Sequence, residues 1–322
     1  MSAARVALGF AVAILFAVLI ARNVDLKEAL GSALKIGPKI LAAAMLLVLL
    51  GYLVRAWRWL LMLRGTGVSA TYWQTAPVFF ASFALNNVMP LRVGDVYRCW
   101  SATILQHATL TKAIASLLTE RVLDLMSLAG LLGFLLLVFP RANLLSLWWP
   151  LACGLIVGLA LLIVFIFFPL PTWRFIERSF LPPDPSGAVA KVALWIRNLA
   201  DAIDGTLSKG SRLKVITLTL VAWSLELGAF VLVGSVLAGT PAMFGGLYAG
   251  ALGTLATLIP SAPGHFGTFD FFAAKGFEVS GLDPENALAA AVVSHIAILA
   301  PVTLLGSLQL ITNHTNIGSS GS

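Results

Sequence analysis

Apolar residues gather in long runs along the chain, with polar residues collected between them. Val6–Ala21, Ile40–Val54, Ala113–Phe139, Leu147–Phe168, Val215–Leu237 and Ala287–Ile311 each come near the ~20 residues that carry a helix across a bilayer. The pattern predicts an all-α polytopic membrane helix bundle of about six full crossings. The first run has no small-x-small cleavage pattern behind it and is expected to remain as an anchor.

Two further apolar segments are too short and too interrupted to cross. Thr75–Leu85 stops at Asn86, Asn87 and Pro90, followed by Arg92, Gly94, Asp95 and Arg98. Met243–Ile259 contains four glycines and breaks at Pro260, Pro263, Gly264, His265, Gly267 and Asp270. Non-helical backbone at membrane depth survives only inside protein or against a water-filled cavity, so both are expected to be re-entrant broken-helix hairpins. Charge fixes their sides. With Arg55–Arg64 and Pro169–Leu213 both on the cytoplasmic face, the first hairpin enters and leaves there and the second enters from outside. Both breaks share a Pro-x-x-x-Gly core, Pro90 to Gly94 and Pro260 to Gly264, as the two halves of an inverted repeat would. Arg22, Lys27, Lys35 and Lys39 weigh against this orientation.

The bundle is expected to occupy residues 1–312. Within 169–213, Val189, Val192, Ile196, Leu199, Ile203 and Leu207 recur at helical spacing, as in an amphipathic helix on the cytoplasmic interface or docked on a partner. Residues 313–322 read as a tail, a linker or tag remnant.

Composition sharpens the class. The chain is 59% hydrophobic and 11% charged, against roughly 25% charged in soluble domains, which excludes a soluble enzyme. Its net charge of +7 points to anionic lipid surfaces and not to nucleic acid. Cys99 and Cys153 form no disulfide framework or zinc motif, and no metal or cofactor is expected. Phosphate-loop, His-Glu-x-x-His and Gly-x-Ser-x-Gly patterns are missing, so no enzyme activity is expected.

The candidate substrate-binding residues lie at the two breaks. Arg92, Asp95 and Arg98 stand at i, i+3 and i+6, which would bring both guanidinium groups near Asp95 and leave donors for an anion. Arginine suits phosphate because its planar fork holds two oxygens and stays charged when desolvated. Asn86 and Asn87 either add amides or cap the broken helix. Pro260, Gly264, His265, Gly267 and Asp270 complete the set. Glu120, Arg121 and Asp124 interrupt an apolar span, and Arg121 with Asp124 has the spacing of an intrahelical pair. Glu226 stands isolated in another span, a packing residue or a proton carrier. His295 reads as packing.

In order and spacing, Asn86-Asn-x-x-Pro90-x-Arg92-x-Gly94-Asp95-x-x-Arg98, Glu120-Arg-x-x-Asp124 and Pro260-x-x-Pro-Gly264-x-x-Gly267-x-Phe-Asp270 resemble the lysylphosphatidylglycerol synthase transmembrane-domain family of flippase-like membrane proteins. The resemblance spans about Val6 to Ile311. It implies a bacterial or archaeal cytoplasmic-membrane protein that moves a lipid-linked anion: a polyprenyl-phosphate sugar, an aminoacylated phospholipid or a hopanoid-type lipid. A lipid-synthesising or glycosyltransferase partner is implied too. No counterpart of the synthases' soluble transferase domain is expected, since the longest polar stretch has about 45 residues. Leu91, His265 and Asp270 depart from the small residue, Gly and Glu common at those places. Two other readings stay open: an intramembrane enzyme acting on a lipid phosphate or glycosyl bond, and a membrane scaffold recruiting a lipid-modifying enzyme.

Overall fold

The chain begins with α1 (Ala3–Asn23), and Asp25 then caps α2 (Leu26–Gly65) by accepting from the Lys27 and Glu28 amides at 2.9 and 3.2 Å. The computed structural model describes residues 3–138, 160, 163–164, 167–180, 187–208, 210–238 and 242–318. Eleven helices and no strand occur among them. The rest are α3 (Tyr72–Val88), α4 (Val93–Leu105), α5 (Leu110–Val138), α6 (Pro169–Phe180), α7 (Gly187–Thr206), α8 (Arg212–Ala238), α9 (Ala242–Ala256), α10 (Thr268–Glu278) and α11 (Pro284–Gly318). The expected Leu147–Phe168 span lies almost wholly outside the described residues.

Three described helices, Leu26–Gly65, Arg212–Ala238 and Pro284–Thr312, are long and apolar enough to cross a membrane. Lipid tails are as apolar as leucine, so such helices are held by close packing rather than by exclusion from water. Small residues supply it. Ala287, Ala290, Ala291 and Ala297 of α11 are fully buried, and a Cβ at Gly306 would stand 2.2 Å from the Phe80 carbonyl oxygen of α3. Gly51 brings α2 onto α8 at Ala222 in the same way.

The helix that carries the Ile40–Val54 run does not end at its first charges. α2 continues through Arg55 and Arg58 to Gly65, and both arginines are buried, at 4% and 0% exposure. Carboxylates from α5 and α8 meet them inside the protein, so the helix need not stop where the charges begin. Gly37 (φ 74°) and Pro38 kink it instead, splitting a helix of about 60 Å into two legs.

Each interrupted segment folds back on itself. Gly94 lets α4 lie against α3, where a Cβ would sit 1.7 Å from the Ser82 carbonyl oxygen; Gly276 does the same for α10 against α9, 2.3 Å from the Ala249 nitrogen. Gln106, just past α4, donates to the Gln74 carbonyl in the first turn of α3 at 3.4 Å, so the first hairpin leaves where it enters. It follows α2 directly and therefore belongs to that helix's C-terminal end. The second hairpin follows α8, which runs back antiparallel to α2, and α10 leads into α11, whose Glu285 accepts from the Asp25 amide at 3.3 Å. The two hairpins therefore enter the bundle from opposite ends.

α7 is amphipathic as its spacing predicts, but its ends differ. Val189 and Val192 are exposed, whereas Leu199 and Ile203 are buried against α5 and α2.

Candidate functional site

The breaks owe their shape to backbone chemistry. Pro90 has no amide hydrogen to continue α3, and the chain turns through Pro90–Arg92 before α4 begins. Arg92 caps α4 in the left-handed region (φ 54°, ψ 43°), and His265 takes the same region at the second break (φ 58°) beside Gly264 (φ 69°) and Gly267 (φ 79°). Such a conformation costs a branched or long residue about 1–2 kcal/mol, and side chains held this way cluster at functional sites. Both face one cavity.

That cavity, of about 300 Å³, lies where the two breaks meet. Tyr52 and Arg55 reach it from α2, Phe83, Asn86 and Asn87 from α3, and Arg92 from the first break. Arg121, Val122, Asp124, Leu125 and Leu128 of α5 form one wall, with Trp223 and Glu226 of α8 beside them. Thr257 and Leu258 after α9, Gly264 and His265 of the second break, Phe269 of α10 and His295 of α11 close the other side. Arg92 Nη2 donates to the Thr257 carbonyl oxygen at 3.2 Å, which ties one hairpin tip to the other.

Around the cavity, arginines and carboxylates pair across helices. Arg55 pairs with Glu226, its guanidinium lying 4.5 Å from the Trp223 ring. Arg58 holds Asp124 with two bonds of 2.6 and 3.0 Å, and Trp223 Nε1 donates to the same carboxylate at 3.1 Å. Arg98 grips Glu120 through bonds of 3.0 and 2.6 Å, stacked between Trp59 and Phe79. Arg121 meets Asp95 at 2.8 Å, and Asn86 Nδ2 donates to the same oxygen at 3.0 Å. Four arginines thus share four carboxylates. Arg92 is left over: among the described residues no carboxylate lies within 4.0 Å of it.

These pairings revise two expectations. Arg98 does not turn toward Asp95 or the cavity, because Glu120 engages both its terminal nitrogens within the protein. Arg121 and Asp124 do not pair along their helix, because each finds a partner on another element. Of the remaining candidates, Asn86, Asn87, Arg92, Gly264, His265, Asp124, Arg121 and Glu226 line the cavity, while Asp95, Glu120, Pro260, Gly267 and Asp270 do not. Asn87 donates to Thr303 Oγ1 at 2.8 Å. Asp270 accepts from the Gly267 amide at 2.9 Å and lies 2.8 Å from His295 Nδ1.

Tyr52, Arg55, Trp223 and His295 are among the lining residues that sequence reasoning passed over as site residues. A signal existed for Arg55: Leu60-Leu-Met-Leu63 resumes apolar character beyond Arg58, as a helix continuing inside protein does.

The model of the lysylphosphatidylglycerol synthase TM region matches residues 6–306. The chain belongs to that family. It is also 25% identical, over 93% of its length, to the glycosyltransferase AglD of Haloferax volcanii, and spans about half (53%) of that relative. No solved structure matches it. Family and fold together make this a multi-pass membrane protein of a lipid-related, flippase-like group.

Proposed function

We propose that the protein moves a lipid with an anionic, phosphate-bearing headgroup between the leaflets of a bacterial or archaeal cytoplasmic membrane, as a transporter and not an enzyme. The observation that carries this reading is Arg92: a forked cation without a carboxylate partner among the described residues, facing a cavity at the meeting point of two hairpins. Its remaining N–H groups are free for two phosphate oxygens at once. About 300 Å³ is at the lower end for ligand sites and suits a headgroup rather than a whole lipid. Val122, Leu125 and Leu128 give the α5 wall an apolar surface along which an acyl or prenyl tail can remain in the bilayer.

In this reading the hairpins are re-entrant from opposite faces and related as an inverted repeat, and rocking of one against the other exposes the cavity to each side in turn. The cross-helix ion pairs hold the two halves in register while Arg92 is exchanged between cargo and the Thr257 carbonyl. Polyprenyl-phosphate sugars and aminoacylated phospholipids both offer the phosphate this requires.

The test is lipid movement in proteoliposomes, read by quenching of a dye-labelled phosphatidylglycerol in the outer leaflet. Arg92→Ala is expected to abolish movement while leaving the protein folded and monodisperse; Arg92→Lys, a point charge without the fork, is expected to retain only a minor part. A folded Arg92→Ala protein that moves lipid at the wild-type rate overturns the proposal.

A further inference from the structure

His295 reaches from α11 to both sides of the second break. Its Nε2 lies 2.9 Å from the Gly264 carbonyl oxygen and its Nδ1 2.8 Å from Asp270 Oδ1. A carbonyl oxygen only accepts, so Nε2 carries a hydrogen. The short Nδ1–Oδ1 contact then requires a second proton, whether it sits on the ring or on the carboxyl group. The other oxygen of Asp270 already accepts from the Gly267 amide. The pair thus holds two protons and is neutral as a unit.

Removal of one proton leaves a ring with a single N–H. That hydrogen can point to Asp270 or to Gly264, and the other contact becomes two lone pairs facing each other at hydrogen-bond distance. The ring can clasp α10 and the break together only while the proton is present. His295 is 4% exposed, is flanked by the Phe269 and Phe266 rings at 4.2 and 5.1 Å, and lines the same cavity as Arg92.

We propose that the His295–Asp270 pair is a proton-binding site that clamps the second hairpin to α11, and that release and uptake of this proton are coupled to lipid movement. The proposal rests on the transport reading above. The charged and titratable groups that share the cavity with His295 suit this role. Arg92 and His265 face it from the two breaks, Arg55 with Glu226 from α2 and α8, and Arg121 and Asp124 from α5 across the cavity. α3 contributes only the neutral Asn86 and Asn87, and α1 carries no titratable side chain from Gly9 to Ala21. Deprotonation makes the pair an anion, which competes with a lipid phosphate for Arg92; protonation removes the competitor. By reciprocity a bound phosphate favours the protonated pair, so anion and proton travel together.

The experiment imposes a pH gradient on proteoliposomes and measures the distribution of dye-labelled phosphatidylglycerol between leaflets. With one proton moved per lipid, a gradient of about one pH unit shifts the wild-type leaflet ratio by up to tenfold. Asp270→Asn supplies an N–H to Nδ1 and an oxygen to Gly267, reproducing the protonated clamp without a titratable group; it is expected to fold, to retain lipid in native mass spectrometry and to show no response to the gradient. His295→Gln, which has no titratable ring, is expected to lose the response as well. Wild-type movement indifferent to the gradient, or an Asp270→Asn variant that responds as wild type does, overturns proton coupling and leaves transport standing. Absence of wild-type lipid movement under all gradients overturns the transport reading, and coupling with it.

Discussion

Glu120→Ala probes the buried charge network most sharply. Glu120 is fully buried and takes both terminal nitrogens of Arg98, at 3.0 and 2.6 Å, with Arg58 at 3.8 Å on the same carboxylate. Arg98 is 1% exposed, its Nε has no acceptor among the described residues, and its faces are covered by Trp59 and Phe79 at 4.4 and 4.9 Å. Without Glu120 this guanidinium is left as an uncompensated charge that water cannot reach. Arg58 remains neutralised by Asp124. Breaking one buried pair in this way costs about 3–5 kcal/mol, whereas replacing both partners by apolar residues of similar volume is close to neutral. Equilibrium unfolding in mixed micelles should therefore show Glu120→Ala as severely destabilised and Arg98→Met with Glu120→Leu as largely restored. A single variant within about 1 kcal/mol of wild type would refute the claim that these charges depend on one another, since that is the range of exposed pairs.

Three further substitutions test other levels of the structure. Gly94→Ala forces a Cβ to within 1.7 Å of the Ser82 carbonyl oxygen and is expected to prevent the first hairpin from closing, seen as loss of monodisperse protein in size-exclusion chromatography, whereas Gly31→Ala meets nothing within 4 Å and should be neutral or slightly stabilising. Asp283→Ala removes the side chain that accepts from the Asn286 amide at 2.8 Å at the start of α11 and should cost about 1 kcal/mol. That same amide holds the Asp283 carboxyl below its ordinary range. Its folded-state pKa being depressed, the contribution is present at neutral pH and fades as the pH falls through the folded value, so wild type and Asp283→Ala should converge in acid unfolding experiments.

The two helix breaks were readable in the sequence because their causes are local. Proline cannot donate to the preceding turn, glycine permits a positive φ, and segments of 11–17 residues cannot span a bilayer. The arginines and carboxylates were readable as a set and unreadable as pairs. Arg55 finds Glu226 across 171 positions, Arg58 finds Asp124 across 66, and Arg98 finds Glu120 across 22. Local spacing therefore suggested Arg121 with Asp124 and Arg98 with Asp95, and helix packing chose otherwise. His295 was passed over for a related reason. Its partners, an aspartate and a backbone carbonyl, are brought to it by the second break, and a carbonyl leaves no mark in side-chain chemistry. Arg92, by contrast, stood out by its place after Pro90, and the three-dimensional pairing only sharpened its role by assigning carboxylates to the other four arginines.

The central claim, that Arg92 holds a lipid phosphate in the cavity between the hairpin tips, is tested most directly by native mass spectrometry of the purified protein with its retained lipids. A phosphate-bearing lipid carried by the wild type and lost from a folded Arg92→Ala variant is the predicted result. The same lipids, in the same proportion, on both proteins would contradict it.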